Sequence, residues 1–261
     1  LAQSIRLLKN GGQLGIIVPD GTVTGSKNRS LREALLESHA VHSVIELPEK
    51  SFLGTEAKTY LLTIEKGACQ TKDLPLYCAD LEGNLSAPIV VSPLEAAERM
   101  DYKFYRWRRD QSFEAKVALG EVSGVSVLRG QLEMASAKRA GISLLHSTHL
   151  SLREMDKVIR IGPNITRAVP GHKYVRAQSG DILLTRVGRN LEDKIARVRS
   201  GTGLVSDCIF VVRGSSEFLS SLWADLDSPR GRAWIRAHTR GVCAKVLNKS
   251  DLLGFPVSWS P

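Results

Sequence analysis

The stretch GDILLTRVGRN, residues 180–190, closes an aliphatic run with Arg186 and Arg189 set around Gly188. A guanidinium carries five donors in a planar fork, so it suits phosphate oxygens and the acceptor edge of guanine. A glycine between two such groups lets the backbone come close to a partner. Further cations follow: Lys194, Arg197, Arg199, Arg240 and Lys245. Residues 1–110 hold 14 Lys/Arg and 14 Asp/Glu, whereas residues 111–261 hold 22 against 13 and carry the whole net charge of +9. A basic half joined to a neutral half points to a polyanion for one part only. The competing account is a solvated basic surface, which supplies affinity without reading anything.

Covalent chemistry has no comparable signature. The sequence contains no P-loop, GxGxxG, GxSxG or HExxH. Gly120, Gly124 and Gly130 in LGEVSGVSVLRG follow no nucleotide fingerprint. The pairs His39/His42 and His146/His149 lack the Cys or carboxylate partners of a metal site, so no metal is expected. Cys69, Cys78, Cys208 and Cys243 show no CxxC spacing, which fits thiols in a reducing, cytoplasmic setting. No apolar run reaches the ~20 residues of a membrane helix, so no membrane partner is expected. The start, LAQSIRLLKNGG, has neither an initiator Met nor a signal-peptide core, and reads as the middle of something longer.

The elements that would position these residues fall into two textures. In the first, GG at 11–12 should end a helix over SIRLLKN, and QLGIIVP (13–19) predicts a strand that is apolar on both faces, as in a sheet interior. Ser30 and Glu33 read as a capping box opening a helix to about Ser38, with Leu31 and Leu35 one turn apart. VHSVIEL (41–47) and KTYLLTIEK (58–66) predict two more strands, and LPLYCADL a further one. Ser92, Pro93 and Glu95 start a helix that runs into KFYRWRR. Those aromatics suit base stacking or, in preference, packing on a neighbouring domain. From 111 onward short strands alternate with glycine turns. Ile182, Leu184 and Arg186 should share one strand face, and Arg197 and Arg199 should oppose Ala196 and Val198. CIFVVR (208–213) predicts an apolar strand. Two helices follow, one with Phe218, Leu222 and Leu226 in a stripe, the other capped by Ser228-Pro229 and stopped by Gly241.

LKNGGQLGIIVPDG, LREALLE and VIELPEKSFLGTEAKTYLLTIEK resemble, in order and spacing, the C-terminal part of the catalytic domain of N6-adenine DNA methyltransferases of the type I modification-subunit kind. The later stretches LGEVSGVSVLRG, ISLLHSTHLS, AQSGDILLTRVGR and TRGVCAKVLNKSDLLGFPVSWSP resemble a target recognition domain of the type I specificity-subunit kind. The resemblance implies an α/β partial Rossmann-like methyltransferase sheet, C-terminal strands only, followed by a separate α+β target recognition domain. The expected division is 1–66 catalytic-domain segment, 67–110 connecting strand and helix, and 111–261 recognition domain.

It further implies that Phe52, shaped by Gly54 and Thr55, lines a pocket for a flipped adenine, with plain packing of Phe52 on the sheet as the alternative. Arg186, Gly188 and Arg189 would face DNA, with Lys194, Arg197, Arg199, Arg240 and Lys245 as further contacts. The glycine-rich S-adenosylmethionine motif and the Asn-Pro-Pro-aromatic motif of that family are not in this sequence. They would lie upstream of Leu1, so this stretch alone is expected to hold no catalytic residue, to bind no cofactor and to be inactive. The expected partners are double-stranded DNA and the missing methyltransferase segment, another copy or a restriction subunit. The rival reading is a non-catalytic DNA-binding or assembly protein of the specificity-subunit type. RNA binding has less support, because the strands lack an RNA-recognition aromatic signature.

Overall fold

A computed structural model describes residues 1–48, 51–53, 57–109, 117–150, 157–162, 174–241 and 244–259. The chain divides into two compact units: Leu1–Ser112 with Arg240–Cys243, and Phe113–Thr239 with Ala244–Pro261.

The first unit is built on β1 (Gln13–Pro19), β2 (His39–Glu46), β3 (Thr59–Lys66), β4 (Leu74–Cys78) and β5 (Ile89–Val91), in sheet order β1-β3-β2-β4-β5. Strand β3 runs antiparallel to both β1 and β2, whereas β2 and β4 are parallel. The carboxyl ends of β1, β2 and β4 therefore meet the amino end of β3 along one edge. Val41, Val44, Tyr60, Leu62, Ile64, Leu74 and Leu76 are buried in one core with residues of the surrounding helices. Residues 67–109 supply two strands and two helices to that same core, α4 (Pro93–Glu98) and α5 (Tyr102–Arg109), which follow α1 (Ala2–Leu7), α2 (Asp20–Thr24) and α3 (Arg29–Ser38).

Several local expectations are corrected. Strand β1 lies at the edge of this sheet among the described residues, with Ile17 49% exposed. Helix α1 stops at Leu7 and Leu8 is already extended, so Gly11 does not cap it. With φ +74, Gly11 instead turns the chain into β1 and donates its N–H to the Lys66 carbonyl. Helix α3 is entered through a 3₁₀ turn at Ser26–Asn28, so Asn28 takes the N-cap position and Ser30 is already inside the helix. Leu31 faces outward, and Arg32 occupies the buried face with Leu35 and Leu36. The capping box at Ser92 is present, with Ser92 Oγ accepting from Glu95 N–H at 3.3 Å. The helix it opens breaks at Arg99, which is extended, so the aromatic run is a separate helix. Its Tyr102 and Tyr105 are buried in the core of this first unit.

The second unit contains β6 (Val117–Ala118), β7 (Ser126–Arg129), β8 (Val158–Arg160), β9 (Arg176–Gln178), β10 (Ile182–Thr185), β11 (Val187–Gly188), β12 (Ile195–Ser200), β13 (Thr202–Leu204), β14 (Ile209–Arg213), β15 (Lys245–Val246) and β16 (Pro256–Val257). Its helices are α6 (Met134–Arg139), α7 (Ser216–Asp227), α8 (Pro229–His238) and α9 (Lys249–Leu253). The main sheet has the order β7-β14-β10-β12-β8. Strands β10 and β14 lie inside it, and every residue of Ile182–Thr185 and Ile209–Val212 is buried, which is why those runs are apolar without alternation. Strand β10 stops at Thr185, one residue short of Arg186, and β11 pairs with β15 outside the main sheet. Ser215 and Ser228 cap α7 and α8 through their hydroxyls. Helix α8 ends at His238 with Thr239 extended, before Gly241 is reached.

Candidate nucleic-acid interface

In the first unit the carboxyl edge of the sheet carries a buried ionic cluster. Asp20, at the end of β1, accepts from Thr24 Oγ1 at 2.8 Å, from Tyr60 Oη at 3.2 Å and from the Gly241 N–H at 2.7 Å. Glu46, at the end of β2, has Lys103 Nζ at 2.9 Å and Lys58 Nζ at 3.4 Å on Oε1, neither aligned as a hydrogen bond. Lys58 also lies 3.6 Å from Asp20. Arg99 grips Asp101 with two 2.7 Å bonds. Burial disfavours both charges of that pair, but the pairing outweighs it and holds the Asp101 carboxyl below its usual range. Burial, then Glu46, Asp101 and Asp20, push the Tyr60 phenol well above its ordinary value, so it remains a donor.

Arg32 completes the cluster's frame. It donates to the carbonyls of Ala97, Thr22, Gly25 and Glu98 at 2.9, 3.1, 2.9 and 2.6 Å, tying the α2–α3 turn to the end of α4. Burial, and next the like charge of Arg240, lower its pKa to about 10. These charges neutralise one another inside the fold. The loop with Phe52 leaves from this edge, its ends joined by Leu47 N–H to the Thr59 carbonyl at 3.0 Å. Phe52 is 38% exposed and absent from the core, while Gly54 and Thr55 lie outside the described residues.

In the second unit the cations named from sequence fall into separate places. Gly188 faces Lys245 across β11–β15, and Lys194 precedes β12 beside the same turn. With φ +153, Gly188 holds a backbone conformation that disfavours other residues. Arg189 is exposed and precedes Asn190, itself left-handed at φ +50. Arg186 sits just before β11, its N–H on the Cys208 carbonyl at 2.7 Å. Arg197 lies instead with its guanidinium 4.7 Å over the Trp223 ring, and Arg199 is exposed at the opposite end of β12. Arg240 belongs to the first unit.

Helix α8 fills other charges. Arg232 bonds Asp193 at 3.2 Å and Asp227 at 2.7 Å, and Arg236 is 3.7 Å from Glu192. Glu192 and Asp193 lie three and four positions after Arg189, so α8 anchors the turn that follows it.

The sequence reading did not select Arg129 or Asp207, which the fold brings to Arg186. Arg129 ends β7, Asp207 precedes β14 and Arg186 follows β10, on three adjacent strands. Arg186 Nη1 donates to the Asp207 carbonyl at 3.2 Å, and Arg129 Nη2 is 3.9 Å from Asp207 Oδ2. Burial and then Arg129 lower the Arg186 pKa, although it stays a cation at neutral pH. Among the described residues no group of three or more His, Cys, Asp or Glu could hold a metal, and no helix is long and apolar enough to cross a membrane.

Comparison with solved structures finds the type I restriction enzyme EcoKI M protein, 29% identical over 28% of this chain and 17% of that one, with a TM-score of 0.26. The type IIG restriction endonuclease BpuSI is 9% identical over 97% of this chain and 41% of its own, with a TM-score of 0.38. A chain of a type I R-M system is 26% identical over 39% and 21%, with a TM-score of 0.26. This chain thus spans well under half the length of each. Curated proteins give no match. Residues 1–125 match the family model of the N-6 DNA Methylases, which runs through the first unit and into the start of the second.

Proposed function

We propose that this chain forms the C-terminal part of a site-specific DNA adenine-N6 methyltransferase of a restriction-modification system. Its first unit completes a Rossmann-like catalytic sheet, and its second unit is the target recognition domain. The match of residues 1–125 to the N-6 DNA Methylases carries the reading. The excess of basic over acidic residues after position 110 supports assigning duplex DNA to the second unit. Methyl transfer to an exocyclic amino group needs the adenine out of the stack, so a base-binding loop and a sequence reader belong together. Phe52, exposed on its loop, is the side chain offered to such a base.

S-adenosylmethionine is the methyl donor such an enzyme uses. The described residues do not fit a cradle for it. Gly11 and Gly21 have no atom near where a Cβ would stand, and Gly12 and Gly25 are crowded by chain neighbours, Lys9 and Leu8 for the one and the Gly21 backbone for the other. Asp20, the first carboxylate after β1, is already closed on Thr24, Tyr60 and Gly241. The cofactor therefore belongs with other residues of the complete enzyme, together with the missing adenine motif, and the partners are duplex DNA and the subunit or segment that carries those motifs.

The test is selection of random duplex DNA by the 261-residue chain at two salt concentrations. It is paired with labelled methyl transfer to the selected duplex by the natural gene product that contains these residues. An enriched motif that survives higher salt, and is methylated on adenine N6, is expected. Binding that collapses with salt and enriches nothing removes the recognition domain. A motif without methylation leaves the non-catalytic DNA-binding reading in its place.

A further inference from the structure

Two arginines of the second unit are tightly paired with acids. Arg213 grips Asp181 with bonds of 2.9 and 2.8 Å, and Arg232 bonds Asp193 and Asp227. Asp207 is treated differently. Two arginines flank it, yet neither hydrogen-bonds its carboxylate: Arg129 stands off at 3.9 Å, and Arg186 uses the backbone carbonyl. Among the described residues, Oδ1 meets only the Cys208 thiol at 3.5 Å, a weak donor. The Arg129 side chain is 50% exposed and Asp207 26%. The result is an open set of donors and acceptors, not a closed ion pair.

Its backbone is nevertheless fixed. Gly130 donates to the Ile209 carbonyl at 3.1 Å, and a Cβ there would collide with the Ser206 carbonyl oxygen, so only glycine lets β7 lie this close to the 206–207 turn. Asp207 N–H reaches the Leu132 carbonyl at 2.9 Å, and Arg186 N–H the Cys208 carbonyl. The strand order places the acid's strand between those of the two arginines, which sets donor, acceptor and donor side by side.

The geometry points to a base-reading unit of Arg129, Asp207 and Arg186 that recognises one A·T pair in the major groove of duplex DNA. The inference rests on the second unit being a DNA reader. An A·T pair presents there an acceptor, the adenine N6 amino donor and the thymine O4 acceptor, the complement of the order on the protein. A G·C pair presents two acceptors and then a donor, which does not match. A phosphate would be drawn to the arginines but repelled by Asp207 at their centre, so the acid argues for a base.

The test compares motifs selected from random duplex DNA by the wild-type chain and by Asp207→Ala and Arg129→Ala, with thermal melting to confirm folding. The wild-type motif should contain a position preferring A·T by roughly 5- to 150-fold. In Asp207→Ala that preference should shrink to near unity while total affinity holds or rises, because an anion has left a cationic surface. Arg129→Ala, at an exposed position, should weaken the same base pair and spare the others. A uniform loss at all positions, no positional change, or a response at a G·C pair would overturn the inference and leave a phosphate contact or a structural set. A wild-type chain that enriches no motif would remove the DNA reader itself, and the base-reading unit with it.

Discussion

The two units use charge in opposite ways. In the first, Asp20, Glu46, Arg99 and Asp101 are buried with Lys58 half-buried beside them, and their charges are satisfied mostly by one another. In the second, the ends of β7 and β10 present arginines around an acid that none of them closes on. An ionic cluster turned inward fixes the position of a sheet edge, and removing one member is costly because a buried charge is left alone. A set turned outward keeps donors available, and its removal changes what binds more than what folds. The net charge separates the halves of the sequence, but only the geometry separates these two uses.

The strongest way to break this contrast is Asp101→Ala. It removes the two carboxylate bonds of the buried Arg99, and the first unit should lose on the order of 3–5 kcal/mol, read as a lower urea midpoint. An effect below about 1 kcal/mol would mean that the cluster is not what holds the edge. The second test is acid. Pairing with Arg99 keeps the Asp101 carboxyl below its usual range against the pull of burial, so its contribution is complete above the unfolded carboxylate value near ~4. That contribution should drain away as pH falls through the lower folded value. Asp227, held down against burial by Lys157 and Arg232, should act alike in the second unit. Urea midpoints that stay level from neutral pH to below 3 would contradict both.

Smaller effects sharpen the outward side. Lys194→Ala should weaken DNA binding equally across sequences and reduce the salt slope by about 1, as for a single phosphate contact. A change confined to one base position would instead make Lys194 a reader. Arg197→Ala should cost roughly 0.5–1 kcal/mol through the lost contact with Trp223 and leave DNA affinity unchanged. A clear loss of affinity without a stability change would return Arg197 to the interface.

Short-range chemistry was legible in the sequence where it acts alone. The run QLGIIVP is a strand over the predicted residues, and Ser92 and Ser228 cap the helices their neighbours announce. Ser30 misled because the 3₁₀ turn at Ser26–Asn28 starts the helical path earlier, a competition between two local geometries. The inward cluster was not legible, since Asp20, Glu46, Lys58 and Asp101 come from separate segments that share no period. Arg129 escaped for the same reason: only the sheet order brings it beside Asp207. Conversely, Arg197 advertised itself by charge, although its neighbour Trp223 could be found only in three dimensions.

The Gly241 N–H that closes on Asp20 belongs to a stretch the chain reaches only after building most of the second unit. The polypeptide therefore leaves the first unit, returns to it at Arg240–Cys243 and leaves again. Replacement of the second unit through a single junction near residue 112 would import a foreign version of that returning strip. A graft with unchanged stability requires two junctions, or a strip that is common to both parents. The modularity of the second unit is thus limited by connectivity and not by its own fold.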